Sequence, residues 1–147
     1  MKISTKGRYG LRIILDIALH QDKGPVVLRD IAKRQVISQK YLWQVITPLK
    51  SAGLLTVTRG AHGGYVLAQA PETISIRDVV GILEGQVSLV SCVTAPDSCK
   101  RSAQCTVRSA WTEIEEKLND AMRGITLKDL IQRHKDAEPG DNLSYMI

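Results

Sequence analysis

Hydrophobic residues recur at helical spacing through the first third of the chain. Leu11, Ile14, Leu15, Ala18 and Leu19 give one apolar face to a first helix that Ser4 or Thr5 can cap, and Gly24-Pro25 ends it. A short second helix is predicted over about 28–35, with Leu28, Ile31 and Ala32 turned inward. After the link Val36-Ile37-Ser38, with Ser38 as N-cap, a third helix over about 39–52 buries Leu42, Val45, Ile46 and Leu49. Pro48 interrupts that pattern and should kink or tighten the last turn, and Gly53 stands where a left-handed C-cap residue belongs. The period then shortens to two. Leu54–Thr58 reads as a strand, Arg59–Gly64 as a turn and Tyr65–Ala68 as the return strand.

Further on, a fourth helix over 76–83 follows the cap Ser75, and a long helix begins at about Ala103 or Thr106. Its apolar residues are Val107, Trp111, Ile114, Leu118, Ala121/Met122 and Ile125, a heptad-like seam with Glu113, Glu115, Glu116, Lys117, Asn119 and Asp120 off it. A narrow seam of this kind suits a dimer interface. A last helix over 127–134 is capped by Thr126, and a polar, mobile tail is expected from Asp136.

Three helices followed by a β-hairpin is the order of a winged helix-turn-helix. In that arrangement the third helix enters the DNA major groove and the hairpin lies along the backbone or the minor groove. The fold class expected is therefore mainly α. A DNA-binding domain covers 1–83, a cysteine-containing loop 84–105, a dimerisation helix and terminal helix 106–135, and the tail 136–147.

Charge strengthens this reading. Residues 1–67 carry eleven Lys/Arg against three Asp, a net of +8, whereas residues 68–147 carry nine Lys/Arg against twelve Asp/Glu, a net of −3. A basic half suits a polyanion, because phosphate contacts dominate nucleic-acid affinity. On the outer side of the third helix, Gln44 suits bidentate contact with adenine, Lys40 a bond to guanine, and Ser38 a base or phosphate. Trp43 fits packing against the wing better than contact with DNA sugars, while Tyr41 fits a phosphate contact or the core equally. Arg59, beside glycines at the wing tip, suits a narrow minor groove. His62 is a phosphate donor or a plain turn residue.

The chain has 147 residues, 44% of them hydrophobic, enough for a core. No apolar run reaches the ~18 residues of a membrane span. The stretch after the basic start MKISTKGRYG contains Arg12 and Asp16, which excludes a signal peptide and points to the cytoplasm, where thiols stay reduced. The sequence offers no paired carboxylates, nucleophile–histidine set or phosphate loop at useful spacing, so an enzyme is not expected. All three cysteines, Cys92, Cys99 and Cys105, fall in one stretch with spacing C-x6-C-x5-C. An odd count cannot pair fully, and the spacing matches no common zinc pattern. Reduced thiols so clustered point to metal or redox chemistry.

Three motifs together resemble the IscR-type family of bacterial transcription regulators, with its NsrR, RirA and CymR branches. They are Ser4-Thr5-Lys6-Gly7-Arg8-Tyr9, Ile37-Ser38-x-x-Tyr41-Leu42-x-Gln44, and Arg59-Gly60-x-x-Gly63-Gly64-Tyr65-x-Leu67. The resemblance runs over about residues 2–135 and includes the cysteine stretch and Ile125-Thr126-Leu127. It implies a homodimeric, cluster-sensing regulator of transcription that binds a double-stranded DNA operator through Ser38, Lys40, Gln44 and Arg59. It also implies an iron–sulfur cluster on Cys92, Cys99 and Cys105, with 2Fe–2S favoured over 4Fe–4S. Members without these cysteines, such as the CymR branch, hold no cluster, and the alternative is a cofactor-free regulator controlled by thiol oxidation or by a protein partner.

Three thiolates can hold such a cluster while leaving one iron position to a weaker ligand. Helix N-terminal amides near Cys105, with Lys100 and Arg101, favour thiolate and the cluster's negative charge. Two departures bear on the fourth ligand. The first cysteine interval is one residue longer than usual for the family, and the position of the IscR branch's ligand histidine is Arg108 here. The position of the NsrR branch's acidic residue is Arg8. Gln104, Asp97, Ser98, Ser102, a partner residue or an external thiol remain for that place.

Overall fold

Four hydroxyl side chains start four helices in the same way. Ser4 accepts a hydrogen bond from the Gly7 N–H at 3.2 Å, Ser38 from Tyr41 at 3.1 Å, Ser75 from Asp78 at 3.1 Å and Thr126 from Asp129 at 3.2 Å. Each satisfies one of the orphan amides of a first turn, worth about 1 kcal/mol. The computed structural model describes residues 2–139. Its helices are α1 (Thr5–His20), α2 (Leu28–Gln35), α3 (Gln39–Ser51), α4 (Ile76–Glu84), α5 (Ser91–Thr94), α6 (Thr106–Arg123) and α7 (Leu127–Ala137). Between α3 and α4 lies an antiparallel hairpin of β1 (Leu55–Thr58) and β2 (Gly64–Leu67), in the register Leu55↔Leu67 to Thr58↔Gly64. This is the expected winged helix-turn-helix followed by a long helix.

The core gathers Ile13, Ile14 and Ile17 of α1, Ile31 of α2, and Leu42, Val45, Ile46 and Leu49 of α3, with Leu55 and Tyr65 of the hairpin and Val79 of α4. The expected inner faces of α2 and α3 are the observed ones. That of α1 is turned. Ile13, Ile14 and Ile17 are fully buried, while Leu11 and Leu15 only flank the core. The cause is α4, which crosses α1 closely. A methyl group at Gly10 would collide with Leu83, and one at Gly7 with Glu84. Two glycines therefore open the side of α1 that α4 covers and rotate its isoleucines inward.

Pro48 lies inside α3 and provides no N–H for the Gln44 carbonyl. The helix tightens at its end, where Gly53 N–H bonds the Lys50 carbonyl three residues back at 3.0 Å, and Gly53 takes φ +79°. Both were expected. Unexpected is Val36, between α2 and α3, at φ +56° and 85% exposed. A β-branched residue in this region stores on the order of 1–3 kcal/mol of strain.

After α6 the chain returns to the N-terminal helices. Leu127 N–H bonds the Ile74 carbonyl at 2.7 Å and Ile76 N–H the Ile125 carbonyl at 2.9 Å, so the starts of α4 and α7 are laced together. Helix α7 packs on α1 and seals Leu127 into the core. It continues three residues past the expected His134, so Asp136 and Ala137 are helical rather than part of a tail. Of the expected tail, residues 140–147 lie outside the described residues. Among those described, no helix is long and apolar enough to cross a membrane.

Candidate nucleic-acid interface and cysteine segment

Because α3 buries Leu42, Val45, Ile46 and Leu49, its other side is open, and Gln39, Lys40, Trp43, Gln44, Thr47 and Lys50 are all exposed there. Lys40 and Gln44, one helical turn apart, share that face. Ser38 sits at its N-terminal end. Its oxygen caps the helix, which leaves the hydroxyl proton free to donate to a phosphate or base. Trp43 is 56% exposed. Tyr41 is half-buried against the core and meets Tyr9 edge-on at 5.8 Å.

The wing tip is built for close approach. Gly60 takes φ +112°, Gly63 N–H bonds the Gly60 carbonyl at 3.1 Å, and a methyl group at Gly63 would strike the Thr58 carbonyl. Arg59 and His62 are exposed on this turn. Val26 and Tyr65 exchange backbone hydrogen bonds of 2.9 and 2.8 Å, and the Gln21 side chain accepts from Leu67 N–H at 2.9 Å, so the wing is anchored to the end of α1. The exposed polar face of α3 and the arginine-bearing wing thus project from one rigid core.

The cysteine stretch, expected as a flexible loop, is folded into short turns. Cys92 lies half-buried in α5, Cys99 is exposed after the turn Pro96–Ser98, and Cys105 is half-buried as the residue before α6. The Cys105 Sγ accepts from Arg108 N–H at 3.4 Å, so this thiol itself caps the long helix. Arg108 also donates through Nε to the Cys92 carbonyl at 2.8 Å. Ser102 is buried and donates to the Pro96 carbonyl at 2.6 Å, which makes it a structural strut rather than a free ligand. Cys99, Lys100, Arg101, Gln104 and Cys105 line a concavity of about 650 Å³. The donor set has the right chemistry for a thiophilic centre: three free thiols, two cations and a helix N-terminus. Among the described residues, no three His, Cys, Asp or Glu side chains are gathered closely enough to hold a metal ion.

Residues 3–133 match the Rrf2 family, described as an iron-dependent transcriptional regulator. The chain belongs to the Rrf2 family. It is 44% identical over 132 residues to the protein rrf2 of Nitratidesulfovibrio vulgaris, covering 90% of this chain and 88% of that one. Identity to the HTH-type transcriptional regulator CymR of Bacillus subtilis is 39% over 130 residues, 88% of this chain and 89% of CymR. Among solved structures, IscR of T. potens superposes with a TM-score of 0.76 at 35% identity, covering 94% of this chain and 91% of that one. This Rrf2-family protein is therefore a transcriptional regulator with the winged-helix fold of the IscR and CymR structures.

The pattern of α6 separates two faces of this Rrf2-family helix. Val107 is 62%, Ile114 47% and Trp111 39% exposed, so the first half of the expected seam stands open in the single chain, while Leu118, Met122 and Ile125 further along are half-buried. Residues one position along face inward instead. Arg77 Nε donates to Asn119 at 2.6 Å. Glu115, expected off the seam on the polar surface, is buried and accepts from the Ser88 hydroxyl at 3.0 Å and Leu89 N–H at 3.2 Å. It fastens the linker before α5 to the long helix. Its only sequence signal was its place at i+7 from Arg108 on the face next to the seam.

Proposed function

We propose that this protein is a homodimeric regulator that reads operator DNA through Ser38, Lys40, Gln44 and Arg59, with its affinity set by an iron–sulfur cluster on Cys92, Cys99 and Cys105. The observation that carries the reading is the continuity of the cysteine segment with α6, since Cys105 caps the helix that bears the exposed Val107–Trp111–Ile114 seam. An apolar strip of this kind is normally covered, and a two-fold copy of itself covers it most simply. The dimer in turn fixes the spacing of two recognition helices. When bound, the cluster supplies a centre that oxygen, nitric oxide or iron shortage can attack. The chain's own part is to supply three thiols and to place the positive charge of Lys100, Arg101 and the α6 N-terminus beside an anionic cluster.

A second reading has one observation in its favour. The thiols are free, Cys99 is exposed, and no three metal-ligating groups are gathered among the described residues. A cofactor-free regulator controlled by thiol oxidation fits this arrangement. Purification without oxygen separates the two. Brown or reddish protein with iron and sulfide in stoichiometric amounts supports the cluster. Colourless, iron-free protein after iron and sulfide reconstitution supports the thiol switch.

A further inference from the structure

Asp16 lies on the buried face of α1, its side chain only 1% exposed, among isoleucines. A buried carboxylate is costly unless its oxygens are bonded. Here the guanidinium fork of Arg34 donates through Nη2 to Oδ1 at 2.7 Å and through Nε to Oδ2 at 3.0 Å, and Gln35 Nε2 donates to Oδ2 at 2.8 Å. Gln35 is held a second time by Arg12, which donates through Nε to Oε1 at 3.1 Å and through Nη2 to its backbone carbonyl at 2.9 Å. Arg12 lies over the Tyr9 ring, and Tyr9 meets Tyr41 of the first turn of α3. His20, the other ionisable neighbour, shares its Nδ1 with the Asp16 backbone carbonyl at 2.8 Å.

The bonds from Asp16 and Arg12 to Arg34 and Gln35 converge on the last turn of α2. The next residue is Val36, the one non-glycine residue with positive φ among those described. Its side chain is 85% exposed, so packing does not hold it there. A strained backbone persists only where its surroundings over-determine it. The Arg34 pKa is raised, chiefly by its hydrogen bond to Asp16, which agrees with a firm pair.

We infer that Asp16 is a positioning residue for DNA recognition, holding α2 through Arg34 and Gln35 so that the turn at Val36 keeps its left-handed form and sets the angle of α3. This rests on the reading that α3 contacts DNA bases.

The test compares the full-length chain with Asp16→Asn and with Arg34→Lys, which keeps the charge but not the fork. Operator affinity, affinity for random DNA, and amide exchange at Ile37 are measured at equal folded fraction. The Ile37 amide bonds the Ala32 carbonyl across the turn at 3.0 Å. Each variant is expected to lose about tenfold in operator affinity, corresponding to about 1.4 kcal/mol. Binding to random DNA should stay within about twofold, since it rests on phosphate contacts. Ile37 should exchange faster while the core amide of Ile46 does not. Val36→Gly removes the strain, so in that background the Asp16→Asn loss should shrink to under about threefold. Unchanged Ile37 exchange, or an equal loss in both backgrounds, overturns the proposal. Faster Ile37 exchange with unchanged operator affinity also overturns it where Gln44→Ala still weakens the operator. Where Gln44→Ala is silent as well, the reading of α3 has failed instead, and the exchange data still support the turn latch.

Discussion

Arg108 Nε bonds the backbone carbonyl of Cys92 across sixteen residues of sequence, at 2.8 Å, while its own N–H bonds the sulfur of Cys105. One arginine thus ties the first cysteine to the third. Arg108→Ala should loosen the segment and speed alkylation of Cys92 by about 5–30-fold, as expected for losing a charge-assisted hydrogen bond of about 1–2 kcal/mol. Cluster binding should survive, because a guanidinium is no iron ligand. Stopped-flow thiol labelling and the visible spectrum of reconstituted protein check both. Slow labelling in the variant would show that the contact holds nothing.

On the recognition helix, Gln44→Ala should cost about 1–3 kcal/mol on the preferred operator and relax base preference, whereas Lys50→Ala should weaken all sequences alike. Binding of a randomised DNA pool by each variant distinguishes the two. Unchanged affinity and preference in Gln44→Ala would mean that another surface reads the bases.

The open seam of α6 predicts assembly. Ile114→Asp should convert dimer to monomer, because it would bury a charge against its own copy. Sedimentation at micromolar protein decides, and an intact dimer in the variant would place the interface elsewhere.

Helix α7 depends on its capping box. The Asp129 carboxyl lies below the ordinary carboxylate range because the backbone N–H and the hydroxyl of Thr126 bond its charged form. A carboxyl held low in the folded state adds stability above its unfolded value and loses it as pH falls through the folded value. The start of α7 should therefore fray as pH drops below about 4, the ordinary aspartate value. Thr126→Ala should cost about 1 kcal/mol at neutral pH and weaken that acid dependence without abolishing it, because the backbone N–H at position 126 still bonds the Asp129 carboxylate. Amide exchange at Leu130, whose N–H bonds the Thr126 carbonyl at 3.1 Å, reports on it.

The helix-turn-helix and wing were legible because caps and periods agree. Ser38 and Ser75 begin helices, the apolar stripe of α3 runs Leu42, Val45, Ile46 and Leu49 past Pro48, and Gly53 stops the helix. The inner face of α1 is not legible in the spacing of hydrophobic residues because it carries Gly7, Gly10 and Asp16, none of which is hydrophobic. Their fitness lies in Glu84, Leu83 and Arg34, residues distant in sequence. Glu115 was hidden for a similar reason, since a glutamate among glutamates reads as surface until Ser88 and Leu89 are seen to bond it. The cysteines announced themselves by clustering, but their turns depend on Ser102 and Arg108, whose backbone partners leave no pattern in sequence.

The most direct test of the account is an anaerobic DNA titration followed by fluorescence anisotropy. An operator selected from random DNA is titrated with cluster-loaded protein, chelator-treated protein and the variants Cys92→Ala, Cys99→Ala and Cys105→Ala. Loaded protein should differ from the other four by about 1–3 kcal/mol, the usual range of allosteric coupling, and those four should agree with one another. Equal affinities in all five samples, on every operator selected, would contradict a sensing role for the three cysteines.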